Sequence, residues 1–190
     1  MNPMKKILFI LFISLAIAQD SNTDFLKSEL NRAVEDINSK KFSSGISRID
    51  NNDFSESILL NHALILKMKA FHGNGDLEKA LSIRKSINLN TLESNLNTIY
   101  SIEMGDIFSE KGFFDKSFEY YLIANKSNID SKSNRRINQR IKKMVRMELD
   151  EQQIGSLLLT EDDSINRNIL LLAQSFSMAR NNSNNLKDVF

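Results

Sequence analysis

The chain has 190 residues, with 25 Lys and Arg against 24 Asp and Glu, 41% hydrophobic side chains, no cysteine and no tryptophan. A net charge of +1 supplies no basic excess for neutralising phosphates, so nucleic acid is not an expected partner. The lack of cysteine excludes a disulfide framework and a lipoprotein anchor, and stability must come from an ordinary core.

The first stretch, MNPMKKILFILFISLAIAQD, reads as an export signal. Lys5 and Lys6 precede an apolar run from Ile7 through Leu15, and Ala16-Ile17-Ala18 has the small-x-small pattern of a cleavage site. The run is about a dozen residues, short of the roughly 20 that span a bilayer, so stable membrane insertion is not expected. Taking residues 1–18 from 190 leaves 172, and losing Lys5 and Lys6 leaves 23 basic against 24 acidic side chains. The expected location is the periplasm, with secretion as the alternative.

Beyond the leader, Pro3 has no successor, and apolar residues recur at three- and four-residue spacing. Phe25, Leu26, Leu30, Ala33, Val34 and Ile37 form a first stripe. Leu60, Leu64, Met68 and Phe71 form a second, and Ile137, Ile141, Met144, Val145 and Leu149 a third. Ile165, Ile169, Leu172, Ala173 and Phe176 form a fourth. Breaks are expected at SKKFSSG, GNGD, EKG, NKSNIDSKSN, TEDDS and NNSNN. Ser55, Ser133 and Asp163 or Ser164 are candidate helix caps. The expected fold is all-α, with eight to ten short helices.

A repeat lies within this pattern. Gly105, Phe108, Gly112, Phe114, Ser117, Tyr121 and Ala124 recur in part as Met68, Phe71, Gly75, Leu77 and Ala80, displaced by 37 residues. Ala33, Phe42, Gly45 and Ile49 keep part of it again, a further 35 residues upstream. The pattern resembles the tetratricopeptide repeat (TPR), a pair of antiparallel helices of about 34 residues. It departs at Ser101, where an aromatic is common, and at Ile129, where proline is common. The resemblance implies a TPR-like α-solenoid, a right-handed array of hairpins at 26–52, 58–88, 98–129 and 133–159, with a partial one at 164–190. Gly105 and Ser117 would be the small residues at the helix crossing, with Gly112 in the turn. Phe108, Phe114, Tyr121 and Ala124 would pack against the neighbouring helices.

No residue set reads as catalytic, and no cofactor or metal is expected. Asp106, Glu110, Asp115 and Glu119 have the look of paired acids but fit the solvated face of a helix. His62 and His72 stand about 15 Å apart along one helix, too far to share a metal ion. By the TPR resemblance, His62, Lys69, His72, Asp106 and Glu110 would line the concave face and contact a peptide or protein partner. RRINQRIKKMVR, residues 135–146, is a basic amphipathic segment that suits weak binding to an anionic surface or an acidic partner.

Leu186, Val189 and Phe190 leave apolar residues at the end of the chain, an ending that suggests the front of a longer protein. The leading expectation is an exported, non-enzymatic interaction scaffold. The alternative is the helical front of a periplasmic enzyme, a cell-wall enzyme activator or a solute-binding protein.

Overall fold

A computed structural model of the chain describes residues 21–55, 58–126 and 131–187, with side chains described over 23–55, 58–126 and 134–182. The expected leader, and Val189 and Phe190, lie outside these residues. Among the described residues there are nine α-helices and no strand. They are α1 (Ser21–Asn38), α2 (Phe42–Asp50), α3 (Leu60–Gly73), α4 (Leu77–Ile83), α5 (Ser94–Glu110), α6 (Phe114–Asn125), α7 (Ser131–Lys143), α8 (Glu151–Thr160) and α9 (Ser164–Lys187). Two compact units divide the chain in sequence between Glu103 and Met104, inside α5.

In the first unit α1 packs on α2, α2 on α3, and α3 on α4. Leu26, Leu30, Ala33, Val34 and Ile37 turn the apolar stripe of α1 into core, while Phe25 stays exposed. Ion pairs tie α1 to α2. Arg48 Nε donates to Asp36 at 2.8 Å and its Nη1 to the buried Glu29 at 3.4 Å. Ser44 Oγ adds a bond to Asp36 at 2.7 Å. The Arg48 guanidinium and then the Ser44 hydroxyl hold the Asp36 carboxyl below its usual range. Helix α3 is enclosed on more sides than its expected stripe allowed. His62, Ala63, Ile65, Leu66, Met68 and Ala70 are buried, whereas Leu60, Leu64 and Phe71 are only half-buried.

The same turn ends the first helix of three successive hairpins. Lys41 N–H reaches the Asp36 carbonyl at 2.8 Å, Asp76 N–H that of Phe71 at 2.9 Å, and Phe113 N–H that of Phe108 at 2.9 Å. Inside each loop one residue is left-handed: Lys40 at φ 62°, Gly75 at 83° and Gly112 at 77°. This is the helix-ending turn in which glycine takes a positive φ without a Cβ clash. The three positions stand 35 and 37 residues apart, the displacements of the sequence repeat.

Several expected boundaries move. Ser55 caps no helix; its N–H and hydroxyl both bond Asp53, and α3 starts only at Leu60. SKKFSSG breaks the chain only as far as Lys41, because Phe42 to Gly45 are already helical, with Gly45 buried close to Ile37. An unexpected stretch of two 3₁₀ turns, Arg84–Ser86 and Leu89–Thr91, separates α4 from α5.

In the second unit α6 packs on α7 and α8, and α8 on α9. The third stripe does not run as one α-helix. After Lys143 the chain widens into a π turn, Met144–Glu148, closed by Leu149 N–H on the Met144 carbonyl at 3.1 Å. The wider turn lets Met144, Val145 and Leu149 all enter the core. Arg180 of α9 satisfies carbonyls left over at this helix end, donating to Arg146 and, at 2.6 Å, to Leu149. A capping box opens α8: Gln153 N–H bonds Asp150 Oδ1 at 2.8 Å, and Gln153 Oε1 accepts from Asp150 N–H at 3.1 Å.

Helix α9 corrects two expectations. NNSNN is no break, since the helix continues to Lys187. Its apolar stripe is also partly rotated away from the core, with Ala173 alone of its five residues buried. Asn166, Leu170, Ala173 and Ser177 face inward, while Ile165 is 65% and Leu172 53% exposed. The α8–α9 turn holds this rotation. Asp163 accepts from the N–H groups of Ile165 and Asn166, and Glu161 Oε2 accepts from the Asn166 amide at 3.0 Å.

Candidate functional site

Three of the residues expected on an open face belong to the first unit. His62, on α3, is only 5% exposed, and neither ring nitrogen has a hydrogen-bond partner among the described residues. Burial pushes its imidazole below the ordinary histidine range, opposed in part by the Glu93 carboxylate. An open ligand-facing role for His62 is therefore corrected to a core role. Lys69 is half-buried. His72, also half-buried, bonds through Nδ1 to Glu103, a buried carboxylate on α5. That pair joins the first helices of two hairpins, and it closes the His72 ring nitrogen to a ligand.

The other two belong to the second unit. Asp106 is buried at 6% exposure. Its Oδ1 accepts from the Tyr121 hydroxyl at 2.5 Å and lies 3.4 Å from Arg140 Nη2. Its Oδ2 accepts from Arg136 Nη2 at 2.5 Å. Three donors from α6 and α7 thus converge on one carboxylate of α5. Burial first, and then the Asp106 charge, push the Tyr121 phenol far above its usual range, so it stays a protonated donor. Asp106 is corrected from an open binding group to an internal hub. Glu110, one turn on, is exposed.

The packing residues surround this hub. Ser117 Oγ donates to the Gly105 carbonyl at 2.6 Å, and a Cβ on Gly105 would stand 2.7 Å from the Tyr121 ring. Tyr121 and Ala124 are fully buried and Phe108 is buried, stacked on Tyr120 at 5.6 Å. Phe114 is only half-buried; Phe118, which no repeat position marks, is fully buried instead.

Helix α7 divides its basic residues by face. Ile137 and Ile141 enter the core. Arg136 and Arg140 flank them and engage Asp106, and Lys143 pairs with Glu148 at 2.5 Å. On another face Asn134, Arg135, Asn138, Gln139 and Lys142 line an open cavity of about 610 Å³. Arg135 and Lys142 are exposed and have no carboxylate partner among the described residues. Seven residues apart, they stand about 10 Å from each other along the axis, with three amide side chains beside them. Guanidinium and ammonium attract carboxylates, and amides both donate to and accept from a peptide backbone. The apolar face of α7 is occupied by core, so the amphipathic stripe of 135–146 is not available to enter a lipid surface.

Sequence reasoning missed Glu103, Tyr100 and Phe118, all buried, and the free face of α7 as distinct from its pinned one. Only the alternation of Arg135, Arg136, Arg140 and Lys142 around Ile137 and Ile141 signalled that face. Among the described residues no cluster of three or more His, Asp or Glu side chains forms a metal site, and no helix is long and apolar enough to cross a membrane. No protein-family model, no curated protein and no solved structure matches the chain.

Proposed function

We propose that the protein is an exported, non-enzymatic interaction scaffold, built as a TPR-like array of helix hairpins, that docks an acidic protein segment on the free face of α7. The carrying observation is the division of basic residues on that helix. Arg136 and Arg140 are committed to Asp106, while Arg135 and Lys142 are held out beside Asn134, Asn138 and Gln139. The threefold recurrence of one helix-ending turn supports the repeat architecture. The leader pattern at Lys5, Lys6 and Ala16 to Ala18 supports export to the periplasm.

Exposed charge pairs contribute only about 0.2–1 kcal/mol each, so two pairs and a few amide bonds give weak, reversible docking that salt suppresses. The test is fluorescence anisotropy with a labelled helical peptide carrying two glutamates seven residues apart. Binding should weaken at least tenfold, by order of magnitude, in Arg135→Glu/Lys142→Glu, the loss of about 1.4 kcal/mol. Equal binding by both proteins, or none by the parent chain, removes this face as the docking site.

A further inference from the structure

The stripe that α9 turns outward has a regular form. Ile165, Ile169, Leu172 and Phe176 follow one another at spacings of four, three and four residues, the seam of a coiled coil. Ile165 and Leu172 are more than half exposed, Ile169 and Phe176 partly so. The residues beside the seam, Ser164, Asn168, Ser175, Ala179 and Asn182, carry no charge. Arg180, which borders it, is turned back onto the carbonyls of Arg146 and Leu149. Meanwhile polar Asn166 and Ser177 are buried, and Asn166 Oδ1 has no partner among the described residues. A helix that buries an amide and a hydroxyl and exposes its apolar seam marks an interface.

We propose that this seam pairs antiparallel with the same seam of a second copy of the chain. The spacing reads the same in both directions, so an antiparallel partner sets Ile165 against Phe176 and Ile169 against Leu172, each contact made twice. Charge favours the same arrangement. Asp162 and Asp163 lie at the start of α9, and Arg146 stands over the Phe176 ring at 5.8 Å. Antiparallel pairing brings the acids of one copy beside the arginine of the other. Parallel pairing sets acid against acid. Two such faces, each about 16 Å long, bury together roughly 1,000 Å², near the lower limit for a specific interface. The dimer is therefore concentration-dependent.

Sedimentation equilibrium of the full chain tests this across the micromolar range. The average mass should rise towards twice that of one chain, and Leu172→Asp should hold it at the single-chain mass with its helical circular dichroism retained. Because the chain has no cysteine, disulfide trapping fixes the direction without relying on that variant. Ile165→Cys/Phe176→Cys should form a covalent dimer under mild oxidation, and Ile165→Cys alone should not. A single-chain mass at every concentration overturns the proposal. So does association that Leu172→Asp leaves intact, or efficient trapping by Ile165→Cys alone.

Discussion

Two buried groups show how single side chains set this protein's energetics. The Tyr121 ring fills the space above Gly105 and its hydroxyl is held by Asp106, so the ring has no room to retreat. Gly105→Ala adds helix propensity worth about 1 kcal/mol but forces a methyl into that ring, an overpacking cost of about 1–3 kcal/mol. We expect a net loss of stability by urea denaturation. In a Tyr121→Leu background the same change should become neutral or stabilising; a loss of equal size in both backgrounds would place the strain elsewhere. His62 acts differently. Its folded imidazole is shifted below the unfolded value of 6.5 by burial. As pH falls through 6.5 the unfolded chain takes up a proton that the folded chain resists, so His62 lowers stability progressively below that pH. The neutral ring is favoured above it. His62→Leu removes both the titration and two ring nitrogens that have no partner among the described residues. Its urea midpoint should fall less than that of the parent between about pH 7.5 and about pH 5.5. Parallel slopes would show that His62 is hydrated in the folded state.

At the scale of elements, the repeated turn is the most regular feature, and one of its three copies is mismatched. Lys40 holds the left-handed φ that Gly75 and Gly112 hold in the other two. A side chain there costs on the order of 1 kcal/mol, part of which glycine returns as unfolded-state entropy. Lys40→Gly should therefore raise stability by about 0.5 kcal/mol, whereas Gly112→Ala should lower it by about 1 kcal/mol. Thermal denaturation of the two variants checks both signs. This mismatch also explains what could be read beforehand. Gly75 and Gly112 marked their turns in the sequence, but a lysine gives no such signal, and the neighbouring Phe42 to Gly45 looked like loop although they begin α2. Spacing located the stripes of α1 and of 137–149 because each has one buried face. On α9 spacing found the apolar face but not its direction, which is set by the Glu161, Asp163 and Asn166 bonds at the preceding turn. The polar candidates failed for a related reason. Asp106 became a hub through arginines 30 and 34 residues downstream, and periodicity carries no information about pairings at that range.

For the whole molecule, the helical class was legible because Pro3 is followed by no further proline, which leaves amphipathic periodicity unbroken. The division into two units was not, since it falls inside a continuous helix, α5, where Gly105 reads as a close-packing position and no proline or polar break interrupts the helix. Each unit buries its own apolar set. Ile37 in the first is 4% exposed, and Ile154 in the second is fully buried. Ile37→Val and Ile154→Val should each cost about 0.5–1.5 kcal/mol. Residues that share no partner add their effects, usually within about 0.5 kcal/mol, so the double variant should lose the sum of the two. The measurement is a urea titration of the parent, both single variants and the double. A shortfall or excess beyond that margin would mean that the two cores respond as one, and the boundary at Glu103 would then be a feature of geometry without energetic meaning.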